Sequence, residues 1–212
     1  MEKIFLDFGA NKLQGLCKVF KNKLNIDESW IIQCYEPNIY VFNNLLNEIQ
    51  NPKCRSYMFY KYKNLKLYNL AISDKSGEEK IKNITHYALP NGKLRAGNAG
   101  GSTLLKDIIW HQKGVEFEVN LVKTIDVNEI LSDLYLRYKK NMEIYIKCDI
   151  EGYEYIVIRR LLESKHINLI KAIYVEWHPH FFENEIEKKV EAFNLINYIN
   201  CHHPNVLIST HY

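Results

Sequence analysis

The chain alternates between two periodicities from its first residues. Ile4-Phe5-Leu6-Asp7-Phe8 is a short apolar run ending at Gly9, which predicts a buried strand. Leu13, Leu16, Cys17, Phe20 and Leu24 then recur at helical spacing. Residues 30–35 form a second apolar run, stopped by Glu36-Pro37, and Ile39, Phe42, Leu45, Leu46 and Ile49 mark another helix face. A third strand is predicted at 65–73, closed by the turn Asp74-Lys75-Ser76-Gly77. Strands and helices alternating over short connections predict βαβ units and a parallel sheet.

The rhythm breaks between residues 78 and 121, which read as an insertion-like hairpin and loop region. Strand-like pieces at 80–85 and 115–122 flank 91–102, a stretch rich in Gly, Asn and Ala that reads as a mobile loop. Regularity returns at Asp126, which pairs with Glu129 as a helix start, and Val127, Ile130, Leu131, Leu134 and Tyr138 share the following face. A strand at 144–150, a helix at 154–164, a strand at 172–177 and a helix at 183–199 come next. In that last helix Ile186, Val190, Phe193 and Ile196 are expected to face inward, and 206–210 is a candidate final strand. No internal repeat or linker interrupts the sequence. The expectation is one domain over residues 1–212, an α/β, doubly wound, Rossmann-like sheet with helices on both faces.

Composition narrows the class. With 47% hydrophobic and 25% charged residues the chain can bury a full core, and its formal charge of +3 falls short of a nucleic-acid footprint. Five cysteines, an odd number with no Cys-x-x-Cys spacing, predict free thiols in a reducing compartment. No segment approaches the ~20 apolar residues that span a bilayer. The strand beginning at Lys3 leaves no room for a signal peptide, so a cytoplasmic location without membrane contact is expected.

Three clusters carry candidate chemistry, each at the end of a predicted strand. Asp7-Phe8-Gly9-Ala10-Asn11 with Gly15 forms a glycine-bearing turn where this fold class binds ligands. A carboxylate there suits a cationic amine or hydroxyls better than a pyrophosphate. Glu36, about twenty positions beyond Gly15, stands where an acid receives ribose hydroxyls. One acid at each of two neighbouring strand tips suits an adenosyl ligand with an amino-acid tail. Lys147-Cys148-Asp149-Ile150-Glu151-Gly152-Tyr153-Glu154 is the second cluster. Strand alternation would put Asp149 and Glu151 on one face, where they could orient a nucleophile, take its proton or share a cation. Glu154 is expected only to cap the next helix. The third is Glu176-Trp177-His178-Pro179-His180, in which His178 is a candidate base because an imidazole titrates near neutrality.

These blocks resemble the FkbM-type methyltransferases. Asp7-x-Gly9-Ala10-Asn11, Glu36-Pro37-Asn38, Asn69-Leu70-Ala71-Ile72-Ser73-Asp74 with Gly77, Gly101-Ser102-Thr103-Leu104, Lys123-Thr124-Ile125-Asp126, the 146–154 block and Val175-Glu176-Trp177-His178 occur in that family's order and rough spacing. The resemblance covers about residues 3–180, and the Asp-Ile-Glu-Gly-x-Glu block is its most specific part. It implies a class I methyltransferase fold, S-adenosylmethionine as cofactor, and often methylation of an oxygen on a small molecule or glycan. By the same resemblance Asp7, Gly9, Ala10 and Asn11 line the methionine end, Glu36 with Pro37 holds the ribose, and Ala71, Ile72 and Ser73 pass the adenine. Asp149, Glu151 and His178 are then the candidate catalytic residues, and no metal ligand set is assigned. Two departures stand out: Leu13 replaces the family's second glycine, and the C-terminal end has room for one of the usual two final strands.

Two rival readings remain open at the level of sequence. Leu13 is the argument for a degenerate binding module without turnover. Tyr57-Met58-Phe59-Tyr60-Lys61-Tyr62-Lys63, which interleaves aromatics with lysines, is the argument for a nucleic-acid methyltransferase. We prefer to read that stretch as a solvated, lysine-guarded edge. Cys201-His202-His203 with His211 lacks regular ligand spacing. Asn98-Ala99-Gly100-Gly101-Ser102 lacks the lysine of a phosphate-binding loop.

Overall fold

The computed structural model describes residues 1–88, 94–96, 102–105 and 116–210. In chain order the elements are β1 (Glu2–Phe8), a π-helical turn (Leu16–Phe20) running into α1 (Lys21–Lys23), β2 (Ile31–Tyr35), α2 (Ile39–Gln50), β3 (Leu65–Tyr68) and β4 (Ala71–Ser73). There follow β5 (Gly77–Ala88), β6 (Leu94–Ala96), β7 (Ser102–Thr103), β8 (Glu116–Asp126) and α3 (Val127–Tyr138). The remainder is β9 (Met142–Cys148), α4 (Glu154–Leu162), β10 (Ile170–Val175), α5 (Glu185–His202) and β11 (Leu207–Thr210).

Six strands form a central sheet in the order β3-β2-β1-β9-β10-β11, and every neighbouring pair is parallel. The side chains of β1 show why both faces are covered. Ile4, Leu6 and Phe8 enter a core that includes Val127, Leu131 and Leu134 of α3 and Val157, Ile158 and Leu161 of α4. Phe5 enters a second core with Leu16 and Phe20 of the π-turn and Leu45 and Ile49 of α2. Alternate residues of one strand therefore feed opposite layers, as the period-2 geometry requires. The doubly wound α/β class expected above is the observed one.

The predicted third strand is not continuous. It breaks at Asn69-Leu70, so that Leu65–Tyr68 pairs with β2 while Ala71–Ser73 pairs with β8 in a second sheet of order β4-β8-β5-β6. Asn69 anchors the break by donating from Nδ2 to the carbonyls of Glu36 and Pro37 at 2.8 and 3.0 Å. These long-range hydrogen bonds outweigh the local β-propensity of an uninterrupted apolar run. In the second sheet β5 and β8 form a long antiparallel ladder, and β7 pairs with β5. The loop read at 91–102 lies, except for 94–96 and 102, outside the described residues.

Of the inward face expected for α5, Ile196 packs against the core and the other three residues do not. Ile186, Val190 and Phe193 are exposed, whereas Ala192 and Ile199 are buried, with Leu195 and Ile196 packed against the core. The helix carries two apolar stripes, and the one at 192, 195, 196 and 199 has the same helical spacing. Packing against the β10 and β11 end of the sheet selects between them. The start of α3 falls at Asp126 as expected, which accepts from the Asn128 N–H at 2.8 Å and pairs with Arg160 through contacts of 2.6–3.2 Å, but its own N–H donates to Ser76 Oγ at 3.0 Å and not to Glu129. Asp126→Ala is expected to cost about 1–2 kcal/mol, since cap and ion pair go together. Urea unfolding measures it, and a loss under about 0.5 kcal/mol would show that water replaces the cap.

Candidate active site

In an open parallel sheet, ligands settle beyond the carboxyl ends of the strands where the strand order reverses. Here that point lies between β1 and β9. Gly9, just past β1, has φ +76°, and a Cβ built on it would stand 1.8 Å from the Asp149 carbonyl oxygen. Only glycine lets the two strand tips approach this closely. Beside them opens a cavity lined by Gly9, Asn11, Glu36 and Pro37, by Ala71 and Ile72, and by Asp149 and Glu151. Asp7, Ala10 and Ser73 are buried and do not line it.

Glu36 is 6% exposed, and both of its oxygens are fixed by backbone donors. The Asn11 N–H donates to Oε2 at 2.8 Å and the Asn38 N–H to Oε1 at 2.9 Å. Burial pushes its carboxyl up to about 7 in spite of these two bonds. A carboxylate offers about four acceptor positions, so each oxygen keeps capacity for a further donor. Asn38 also caps α2 and donates from Nδ2 to Ser102 Oγ at 3.1 Å, tying β7 to the cavity edge. Leu13 resolves in favour of the core. It takes a left-handed backbone, φ +56°, and its fully buried side chain packs with Leu16, Cys17 and Phe20.

Against two of the lining residues, Gly9 and Asp149, lies a buried cation that the motif reading missed. Lys147 is 3% exposed, donates to the Gly9 carbonyl at 2.7 Å, and stands 3.2 Å from both Asp7 Oδ1 and Asp149 Oδ2. Asp7 is thus ion-paired, but neither of its oxygens receives a well-aligned hydrogen bond among the described residues. Burial raises the Asp7 carboxyl against the pull of Lys147. Burial would lower Lys147, yet Asp7 and Asp149 together outweigh it and hold the ammonium charged. A lysine inside the apolar run of β9 was the available signal, because a buried charge needs a partner.

The three candidate catalytic side chains converge. Asp149, Glu151 and His178 bring ligand-type atoms within 4.8 Å of one another. Strand alternation does not achieve this, since β9 ends at Cys148. Glu151 instead turns through a left-handed backbone, φ 55°, followed by Gly152 at φ 98°. Glu154 does more than cap. Fully buried, it accepts from the N–H groups of Ile150 and Gly152 at 2.8 and 2.9 Å and bonds His178 Nδ1 at 2.9 Å. That contact points the other nitrogen, Nε2, toward Glu151 at 3.7 Å, Glu176 at 3.8 Å and Asp149 at 4.0 Å. Burial would lower His178, but Glu154, Glu151 and Asp149 raise it to about 9. Burial lifts Glu151 to about 8 against the opposing pull of His178.

The family model for the methyltransferase FkbM domain matches residues 7–201. Among solved structures, that of methyltransferase FkbM from Methylobacillus flagellatus KT is similar at 13% identity with a TM-score of 0.47. The similarity covers 94% of this chain and 37% of that one, so the present chain spans well under half of that protein's length. No curated protein sequence matches. The family match runs from the Asp7 tip of β1 through both acidic strand ends into α5, and the chain belongs to the FkbM methyltransferase domain family.

Proposed function

We propose that the chain binds S-adenosylmethionine across the tips of β1 and β2 and methylates a hydroxyl oxygen of a small molecule or sugar. The observation that carries this is Glu36: a buried carboxylate, held by two backbone N–H groups at a cavity edge, with acceptor capacity left for a ribose diol. Ala71 and Ile72 offer an apolar wall for the adenine, and Gly9 and Asn11 lie toward the amino-acid tail. The residues therefore suit the cofactor. When bound, it would supply a methyl on a sulfonium, already activated and with a neutral thioether as its leaving group. The chain's part is to align an acceptor oxygen with that methyl, exclude water and accept the hydroxyl proton. Asp149 and Glu151, which line the same cavity, and the buried His178 beside them are the groups assigned to the last task. His178 is best suited to hold and orient, since Glu154 fixes its ring through Nδ1.

Of the two rival readings, the degenerate module loses its argument with Leu13 in the core. The nucleic-acid reading loses part of its own, because Phe59 and Tyr62 of the aromatic stretch are buried and Tyr57 stacks on Tyr60 instead of lying free.

Calorimetric titration with S-adenosylmethionine and S-adenosylhomocysteine tests the cofactor assignment. Glu36→Ala is expected to weaken both by about 1–3 kcal/mol, and unchanged affinity would remove Glu36 from the site. Its pH dependence is a second check. Ribose hydroxyls bind the ionised carboxylate, so binding competes with the proton that Glu36 holds up to about pH 7. Methylthioadenosine, which keeps the ribose and lacks the titrating amino-acid tail, should bind about tenfold more tightly at pH 8 than at pH 6. The gain should level off above pH 8, and a flat profile would count against the ribose contact.

A further inference from the structure

We infer that Asp149, Glu151 and His178 form a binding site for one divalent cation of the Mg2+/Mn2+ class, opening onto the cavity where the acceptor oxygen would lie. This deepens the methyl-transfer reading and rests on it for the ion's role, though not for its binding. Among the described residues this is the group of His, Asp and Glu side chains whose ligand atoms come together, all within 4.8 Å. Ligands about 2.1 Å from such an ion stand at most about 4.2 Å apart. The separations of Nε2 from Glu151 Oε2, 3.7 Å, and from Asp149 Oδ1, 4.0 Å, lie within that limit, and the 4.8 Å that bounds the group as a whole exceeds it, so the ion would draw the two carboxylates slightly together.

The histidine supplies an observation independent of the carboxylates. His178 is 6% exposed, its Nδ1 is occupied by Glu154, and its Nε2 reaches no hydrogen-bond partner among the described residues. It faces a gap ringed by three carboxylate oxygens at 3.7–4.0 Å. A carboxylate bonded to the far ring nitrogen is the usual way a metal-ligating imidazole is oriented. Charge points the same way. Asp149, Glu151, Glu154 and Glu176 surround this ring, while Lys147 already serves Asp7 as well as Asp149. A dication offsets that excess, taking the place of the protons that His178 and Glu151 otherwise hold. Asp149 and Glu151 also line the cavity, so open coordination positions would face the acceptor, where the ion would draw in its hydroxyl oxygen and make it more acidic.

The test is Mn2+ titration of the metal-stripped full chain, followed by electron paramagnetic resonance of the free ion. One saturable site per chain in the micromolar range is expected. Asp149→Asn, Glu151→Gln and His178→Ala should each weaken it at least about tenfold, and the positioning variant Glu154→Gln by about 10–100-fold. The wild-type titration keeps the proposal falsifiable should a buried variant misfold. No saturable binding by the wild type below about 1 mM, weaker than all but the loosest built sites, overturns it. So does undiminished binding in the folded triple variant. Calorimetry with S-adenosylhomocysteine on the same sample separates the two readings. Cofactor binding without Mn2+ binding overturns the cation site alone, and Mn2+ binding without cofactor binding supports the cation site while overturning the methyl-transfer reading.

Discussion

Lys147→Met should destabilise the fold by roughly 3–5 kcal/mol near neutral pH, the cost of leaving a buried carboxylate without its counter-charge. Methionine keeps the length of the side chain and removes only the ammonium. Asp7 would then be fully buried with no cation beside it, and the donor to the Gly9 carbonyl would be lost as well. The pH profile identifies the cause. Burial raises the folded-state value of Asp7 above its ordinary carboxylate value, and without Lys147 it rises further. A raised value makes the folded state hold its proton longer than the unfolded chain, so stability falls as pH climbs above about 4. The deficit of the variant should therefore be smallest below about pH 4, where Asp7 is protonated in both states. Adding Asp7→Asn to Lys147→Met should recover much of the loss. Urea unfolding of the single and double variants measures both effects. A single variant within about 1 kcal/mol of wild type would show that the pair is no more than a surface-grade contact.

Asp149→Asn should lower methyl transfer by roughly 10²–10⁴-fold while changing S-adenosylhomocysteine affinity little. The carboxylate lines the same cavity as Glu36, and one of its oxygens is held 3.2 Å from Lys147 while the other turns toward His178. Asparagine preserves shape and some hydrogen bonding, so the comparison isolates the charge. Asp7 keeps its own contact with Lys147, and the fold should survive. Turnover is read as transfer of a labelled methyl to an acceptor found by screening hydroxylated small molecules and sugars. Glu151→Gln is the paired control in the same cavity. Loss of S-adenosylhomocysteine binding in Asp149→Asn would move this residue into the cofactor pocket. Normal turnover in both variants would remove the acidic block from the chemistry.

Much of the scaffold was legible in the sequence because it depends on local pattern. β1, β2, β9 and β10 are near-continuous apolar runs, as strands buried on both faces tend to be. The helix start at Asp126 was readable because a cap is decided within four residues. The acids at strand tips were identifiable as candidates because a carboxylate ending an apolar strand in a parallel sheet has few places to go except the ligand crevice.

What only the tertiary structure decided depended on contacts between distant segments. The break of the third strand at Asn69 needs the carbonyls of Glu36 and Pro37, more than thirty positions earlier in the chain. The choice between two apolar stripes on α5 needs the sheet edge it covers. Leu13, which by motif stands where the family has glycine, found its place in the second core only once the turn had taken a left-handed conformation. Lys147 was given no role by its motif, and Glu154 was expected only to cap a helix. Folding makes one the counter-ion shared by two strand tips and the other the brace that aims His178 at Asp149 and Glu151. Periodicity can place a side chain on a face, but the partner that satisfies its charge comes from another part of the chain, and only the closed fold brings the two together.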